Sequence, residues 1–130
     1  MLAVDTNVVV RFLARDDAEQ TRRADKLFRE NRIWVAQTVL LEVEWVLRSV
    51  YRADRAKIEK AIRGLGGVPT VVIEDDEDVA MALDWFGAGM DFADALHLAS
   101  SRAADGFATF DRKLAAQARR LTAIDVTALG

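Results

Sequence analysis

The sequence predicts an α/β protein, in which a parallel five-stranded sheet forms the middle layer of a three-layer α/β/α sandwich. Short apolar runs rich in β-branched residues alternate along the chain with longer amphipathic segments. Parallel neighbouring strands need a crossover of about a dozen residues, which is usually a helix. Because the 130 residues contain no repeat, linker or low-complexity tract, we expect one domain spanning residues 1–130.

Five short runs are the predicted strands. The first ends where Asp5, Thr6 and Asn7 indicate a turn, and the third, Val-Val-Ile, is entirely β-branched. In chain order the predicted strands cover residues 2–4, 33–36, 71–73, 107–110 and 123–126.

The predicted helices begin at side chains that can accept a hydrogen bond from a free backbone N–H of the first turn. The expected caps are Asp16 or Asp17, Thr38, Asp54, Asp75 or Asp76, Asp91, and Asp111. Where an end can be recognised, these helices finish near residues 30, 66, 88, 104 and 119. We expect the acidic run 74–78 to be a solvated helix start, and Trp34 and Trp45 to support the core.

Composition excludes several classes of protein. The absence of cysteine excludes a disulfide framework, an iron–sulfur cluster, a thiolate zinc site and a cysteine nucleophile. The longest apolar run has five residues, at 79–83, which is too short to span a membrane. No basic stretch precedes a hydrophobic one at the N-terminus, so we expect a cytoplasmic protein.

The net charge of −3 hides a strong segregation of charge. Residues 74–94 hold eight acidic and no basic residues, whereas residues 102–120 hold five basic and two acidic ones. A nucleic-acid reader usually carries an overall basic surplus, which is missing here. Locally basic stretches around carboxylates are instead compatible with a site that binds phosphate through metal ions.

Carboxylates gather where the predicted fold would bind a ligand, at the rim formed by the carboxyl ends of the strands. They are Asp5, Glu42, Asp91, Asp94 and Asp111. Like charges in close proximity raise one another's pKa and destabilise the fold, and a bound divalent cation offsets this. Oxygen ligands favour Mg²⁺ or Mn²⁺ over zinc. Such ions polarise a phosphodiester and activate water, so we expect phosphodiester hydrolysis.

Four segments resemble the successive motifs of PIN-domain ribonucleases, and more narrowly those of VapC-type toxins of bacterial toxin–antitoxin pairs. The segments are DTN at 5–7, TVLLEVEWVL at 38–47, DFADAL at 91–96 and TFDRKL at 109–114. Together the resemblance runs from residue 2 to about residue 125, with all four motifs in family order.

The resemblance implies catalytic carboxylates that hold Mg²⁺ in an acidic pocket, at Asp5, Glu42, Asp94 and Asp111. Asp91 is implied as either an extra ligand or a helix cap. Three further positions match residues that orient those carboxylates, namely Thr6, Asn7 and Thr109. The family cuts RNA, is usually dimeric, and is held inactive by a small antitoxin, which implies a heterotetramer or larger complex.

Several residues near the motifs have competing interpretations. His97 follows Asp94 by one helical turn and could act as a base, but ordinary packing is the simpler account. Glu44 competes with Glu42, and only Glu42 matches the family position, so Glu44 is expected to be a solvated or interface charge. Three basic residues adjoin the motifs and could bind RNA phosphates, namely Arg11, Arg112 and Lys113.

Two rival functions remain open. Small-molecule phosphatase folds also place an aspartate after the first strand, but they need a second acid two residues later, where this chain has Asn7. A non-catalytic RNA- or protein-binding module would be favoured if one of the four acids were missing, and all four are present.

Overall fold

A computed structural model describes residues 1–130 of the chain. The chain divides into two compact units, Met1–Asp76 and Glu77–Gly130. The first unit contains three strands and four helices: β1 (Leu2–Ala3), α1 (Thr6–Ala14), α2 (Ala18–Glu30), β2 (Ile33–Val35), α3 (Gln37–Ser49), α4 (Arg55–Gly66) and β3 (Val71–Ile73). Whether the chain forms a single domain stays a prediction.

The first unit is built on a parallel three-stranded sheet in the order β1-β2-β3. Ile33 of β2 is paired with Leu2 of β1 on one side and with Val71 of β3 on the other. Both Ile33 and Val35 are fully buried, as expected for a middle strand with a neighbour at each edge. Helix α1 packs against α2 and α3, and the Phe12 and Phe28 rings stack with centroids 4.0 Å apart.

Helix α1 begins directly at Thr6, where the sequence predicted only a turn after β1. Asp5 is its N-cap, and its carboxylate accepts a hydrogen bond from the backbone N–H of Val8 at 3.3 Å. Asp5 is therefore a helix cap rather than a turn residue. The chain after it forms a helix because Val9 and Val10 are buried on one face of that helix.

The N-terminus of α3 is capped from a distance. The predicted cap Thr38 lies inside the helix, and the actual N-cap, Ala36, contributes no side-chain bond. The Glu74 carboxylate instead accepts the backbone N–H of Gln37 at 2.8 Å, across 37 positions of sequence. Glu74 is therefore not part of a solvated helix start, because it supplies an acceptor to a free N–H of another helix.

The buried face of α3 excludes one residue predicted to be in the core. Leu40, Val43, Glu44 and Leu47 are buried at the spacing of a single helical face. Trp45 lies off that face and is 55% exposed, so the prediction that it supports the core is wrong. Glu44 is buried rather than solvated, and its carboxylate pairs with the Arg48 guanidinium at 2.8 Å.

The second unit contains a two-stranded parallel sheet whose strands are joined by a helix. Its elements are α5 (Asp76–Gly87, whose first residue ends the first unit), α6 (Phe92–Ser100), a 3-10 turn (Ser101–Ala103), β4 (Phe107–Thr109), α7 (Arg112–Leu121) and β5 (Val126–Ala128). Gly89, at a φ of 111°, turns the chain between α5 and α6, a conformation that favours glycine. Phe86 and Phe92 then meet edge to face at 5.6 Å.

The end of α6 and the start of β5 differ most from the predicted boundaries of this unit. Helix α6 ends at Ser100, short of residue 104, because the Ser100 and Ser101 hydroxyls donate to backbone carbonyls and the chain tightens into a 3-10 turn. Strand β5 starts at Val126 rather than 123, since the Thr122 hydroxyl accepts the N–H of Ile124 and holds the preceding loop.

The five predicted strands are all present, and their pairings are parallel both in the three-stranded sheet of the first unit and in the two-stranded sheet of the second. Strand β1 is only two residues long, because α1 and its cap follow almost at once. No helix of the chain combines the length and the apolar character that crossing a bilayer would need.

Candidate active site

Two aspartates of the second unit, Asp91 and Asp111, act electrostatically on a third, Asp94, and we call the three the aspartate cluster. Asp91 is the N-cap of α6, where its carboxylate accepts the backbone N–H of Asp94 at 3.1 Å. Asp94 therefore sits in the first turn of the same helix, at the positive end of its dipole. Both residues therefore belong to the start of one helix, and the Asp91 carboxylate is bonded to the backbone of that helix.

The Asp94 carboxyl shows the electrostatic effect of this arrangement. Its pKa is raised above the ordinary value, first by burial and then by the negative charges of Asp91 and Asp111, while His97 acts in the opposite direction. Asp94 is only half-buried, so solvent screens part of this repulsion. A positive charge placed beside Asp94 would favour its ionised form.

Asp111 reaches the cluster from the next helix. It is the N-cap of α7, and its carboxylate accepts the backbone N–H of Leu114 at 3.0 Å. The Thr109 hydroxyl accepts the backbone N–H of Asp111 itself at 3.0 Å. Thr109 thus fixes the backbone of Asp111 rather than its carboxylate, which is a simple way for an end-of-strand threonine to orient the following aspartate.

The remaining predicted ligands, Asp5 and Glu42, belong to the first unit. Asp5 is exposed at the cap of α1, and Glu42 is exposed on α3, which packs against α1. Neither Thr6 nor Asn7 donates a hydrogen bond to the Asp5 carboxylate, so their predicted orienting role has no counterpart in these contacts. That Asp5 and Glu42 meet the aspartate cluster stays a prediction.

A groove of about 470 Å³ opens beside Asp5, between α1 and α2. Its floor is apolar and includes Val8 and Leu27, and its rim carries Arg11 and Arg23. Arg11 is one of the residues predicted to bind RNA phosphates. Arg23 belongs to no motif and was not predicted. The signal that could have found Arg23 is the basic character of α2, which places arginine on the helix face flanking Asp5.

Arg11 forms hydrogen bonds with two side chains of the first unit. Its guanidinium donates to the Asp16 carboxylate at 3.2 Å and to the Tyr51 hydroxyl at 3.3 Å, while Tyr51 donates to Asp16 at 2.8 Å. The two other predicted RNA-binding residues, Arg112 and Lys113, are exposed and have no ion-pair partner. His97 is exposed on α6, so it is not a packed core histidine.

A divalent metal ion needs several oxygen ligands that converge on one point. No group of three or more His, Asp or Glu side chains is arranged so as to hold a metal ion. The chemistry of the donors nevertheless fits, since the aspartate cluster offers only carboxylate oxygens, and burial followed by repulsion from Asp91 and Asp111 raises the Asp94 pKa. An entering hard cation would relieve that repulsion while drawing the carboxylates together.

Comparison with known proteins places the chain in a family. No curated protein matches the sequence. The family model described as "PIN domain" matches residues 2–120, which spans both compact units. PIN domains are generally metal-dependent nucleases, and the predicted α/β class is confirmed by this match together with the seven helices and the parallel strands. With most of its length matched by this one model, the chain belongs to the PIN domain family.

Proposed function

We propose that the chain is a Mg²⁺-dependent endoribonuclease that hydrolyses RNA phosphodiester bonds, with Mn²⁺ able to replace Mg²⁺. The observation that carries the proposal is the match of residues 2–120 to the PIN domain model, and the charges of Asp91 and Asp111 acting on Asp94 support it. A half-buried carboxylate repelled by two neighbours is poorly suited to an ion-free site. Carboxylate oxygens are the ligands that a hard divalent cation prefers, so these three could bind one once they are drawn together around it.

The residues proposed to hold the ion are Asp5, Glu42, Asp94 and Asp111, with Asp91 as an additional ligand or a cap. When bound, the ion would polarise the phosphodiester, lower the pKa of an attacking water and stabilise the departing oxygen. The chain's own contribution is to fix its carboxylates in advance. Asp91 and Asp111 are held by the N–H groups that they cap, and Thr109 holds the backbone of Asp111.

Basic residues next to the carboxylates supply contacts for the RNA backbone. Arg112 and Lys113 follow Asp111 directly and are exposed without an ion-pair partner, so both remain available to phosphate oxygens. Arg11 is a weaker candidate, because Asp16 already neutralises much of its charge. These contacts position the RNA but carry no sequence information themselves.

The biological role proposed is that of the toxin in a VapBC-type toxin–antitoxin pair, acting in the cytoplasm. Cleavage of cellular RNA would then inhibit translation and growth until a VapB-type antitoxin binds. The support is the resemblance of the four motifs and the match to the PIN family. A homodimer, and a heterotetramer or larger assembly with antitoxin, belong to the same proposal.

The experiment that tests the nuclease is cleavage of total RNA by the purified chain, with Mg²⁺ and with EDTA. We expect cleavage only with Mg²⁺, and its loss in Asp5→Asn and Asp94→Asn. The matched control is Asp105→Asn, which removes one negative charge from an exposed loop of the second unit. Cleavage that persists in EDTA or in Asp5→Asn would remove the metal mechanism.

The toxin role has a separate test. Controlled expression should stop growth, and sequencing of RNA ends should reveal a defined cleavage position. Co-expression of the product of a short upstream reading frame should restore growth by forming a complex with the chain. Normal growth on expression of a demonstrably active nuclease would overturn the toxin role and leave the nuclease intact.

A further inference from the structure

Phe110 is the most exposed aromatic side chain of the protein, and it lies next to the aspartate cluster. Its ring is 76% exposed, although it follows strand β4 and precedes helix α7, a position where apolar residues are usually covered. The next residue is Asp111, so the ring is held one peptide unit from a proposed metal ligand.

A second exposed apolar residue follows the neighbouring strand β5. Strands β4 and β5 end their register at Thr109 and Ala128, so Phe110 and Leu129 each follow the last registered pair of the sheet. The N–H of Leu129 donates to the Thr109 carbonyl at 2.8 Å, which keeps the two chain segments side by side. Leu129 is 54% exposed, so two exposed apolar residues, here called the apolar patch, follow the paired ends of β4 and β5.

The charge around the patch indicates what it contacts. Helix α7 carries four basic residues and no acidic one, and it presents Arg112 and Lys113 directly after the ring. Both side chains are exposed and lack an ion-pair partner. An exposed aromatic ring flanked by free cations is the combination that proteins use for nucleic-acid strands, with bases stacked on the ring and phosphates held by the cations.

The geometry points to Phe110 as the base-stacking residue of the proposed nuclease, which positions the RNA by stacking an unpaired base next to the scissile phosphate. This inference rests on the proposed function, because it takes RNA as the substrate. A base stacked on the residue directly before Asp111 would set which phosphate reaches the carboxylates. It would also favour RNA segments whose bases are free to unstack.

The test measures binding and cleavage separately. Binding of a short fluorescein-labelled RNA is followed by anisotropy in an Asp5→Asn background with Mg²⁺, and inorganic polyphosphate serves as a probe that has charge but no bases. Phe110→Ala should weaken RNA binding by about tenfold and leave polyphosphate binding unchanged. Arg112→Ala should weaken both, because it removes a phosphate contact.

Three variants separate stacking from general apolar contact. Phe110→Tyr should retain RNA affinity, Phe110→Leu should lose it despite keeping apolar bulk, and Val50→Ala, which trims an exposed apolar residue at the end of α3, should have no effect. In the chain that retains Asp5, Phe110→Ala should raise KM and spread cleavage over several neighbouring positions. Circular dichroism of each variant should match that of the native chain, because the ring is exposed.

Failure of the inference is distinguishable from failure of the proposed function. If the native chain cleaves RNA and Phe110→Ala matches it in affinity, KM and cleavage position, stacking is overturned and the nuclease stands. If the native chain does not cleave RNA, the nuclease falls, whereas a tenfold loss of RNA binding in Phe110→Ala still supports stacking. If Phe110→Ala changes only the oligomeric state, the patch is a protein interface and the inference is overturned.

Discussion

Asp91 accepts the backbone N–H of Asp94 at 3.1 Å, so a single side chain both caps helix α6 and keeps a negative charge next to the second carboxylate. A cap alone would stabilise the helix start. Here the same contact also keeps the Asp91 charge close to Asp94, whose pKa is raised first by burial and then by this repulsion. The start of α6 therefore combines a favourable hydrogen bond with an unfavourable pair of charges.

Replacing Asp94 by asparagine should stabilise the protein in metal-free buffer at neutral pH. Because the folded state raises the pKa of Asp94, ionisation costs more there than in the unfolded chain, and removal of the charge relieves that cost. After allowing for solvent screening we expect a gain of about 1–2 °C in Tm. Differential scanning calorimetry with EDTA measures it, with Asp105→Asn as the control. A Tm at or below that of the native chain would contradict crowding at this cluster.

Mg²⁺ should raise the Tm of the native chain more than that of Asp94→Asn. A ligand that prefers the folded state stabilises it in proportion to the logarithm of its concentration over its Kd. The rise should therefore continue with each tenfold increase in Mg²⁺ above the Kd. Thermal scans over a Mg²⁺ series at constant ionic strength measure this. Equal responses in the two proteins would show that the ion acts elsewhere.

The two roles of Asp111 can be separated by the choice of substitution. Asparagine caps helices about as well as aspartate, whereas alanine leaves the N–H of Leu114 without its acceptor. Asp111→Ala should therefore cost about 1 kcal/mol of unfolding free energy, and Asp111→Asn should be close to native. Urea denaturation measures both. RNA cleavage, in contrast, should be lost in both variants, and full activity in Asp111→Asn would exclude its carboxylate from the metal site.

Acid should weaken the contact between Tyr51 and Asp16. The Tyr51 hydroxyl bond lowers the pKa of Asp16 in the folded state, so its contribution is fully present above the ordinary carboxyl pKa of about 3.9 and is lost as pH falls through the lowered value. Tyr51→Phe should therefore have a lower Tm than the native chain at pH 7, with the gap closing below about pH 4. Thermal scans from neutral to acidic pH test this, and a constant gap would contradict it.

The distant cap of α3 gives a fifth prediction. Glu74→Ala removes the acceptor for the N–H of Gln37 and should cost about 1 kcal/mol of unfolding free energy. Thr38→Ala, at the position that the sequence indicated as the cap, should change stability by less than about 0.5 kcal/mol. Chemical denaturation of the two variants compares them directly. A larger loss of unfolding free energy in Thr38→Ala than in Glu74→Ala would show that Thr38 is the cap of α3.

Local signals in the sequence identified most of the fold. Asp17, Asp54, Asp91 and Asp111 were each predicted as N-caps, either outright or as one of two adjacent aspartates, and each accepts a backbone N–H three residues later in the structure. This succeeded because the cap and the capped group are close in sequence. The cap of α3 failed for the opposite reason, since Glu74 reaches Gln37 only after the strands have paired.

The sequence likewise predicted some features of the candidate site and not others. The sequence placed Asp91, Asp94 and Asp111 near one another, and the mutual effect on the pKa of Asp94 agrees with that placement. It could not show that Phe110 is exposed, because an apolar residue at a strand end is ordinarily expected inside. Nor could it show the burial of Glu44, since a charged residue on the core face of a helix contradicts its own hydrophobic pattern.

The bond between Glu74 and Gln37 also has a consequence for synthesis. A ribosome makes α3 well before it adds Glu74, so the nascent helix emerges with an open first turn at Gln37. That turn can close only once β3 has joined the sheet and delivered the carboxylate. The helix that carries Glu42 should therefore acquire its final N-terminal geometry late during translation, after β3 has left the exit tunnel.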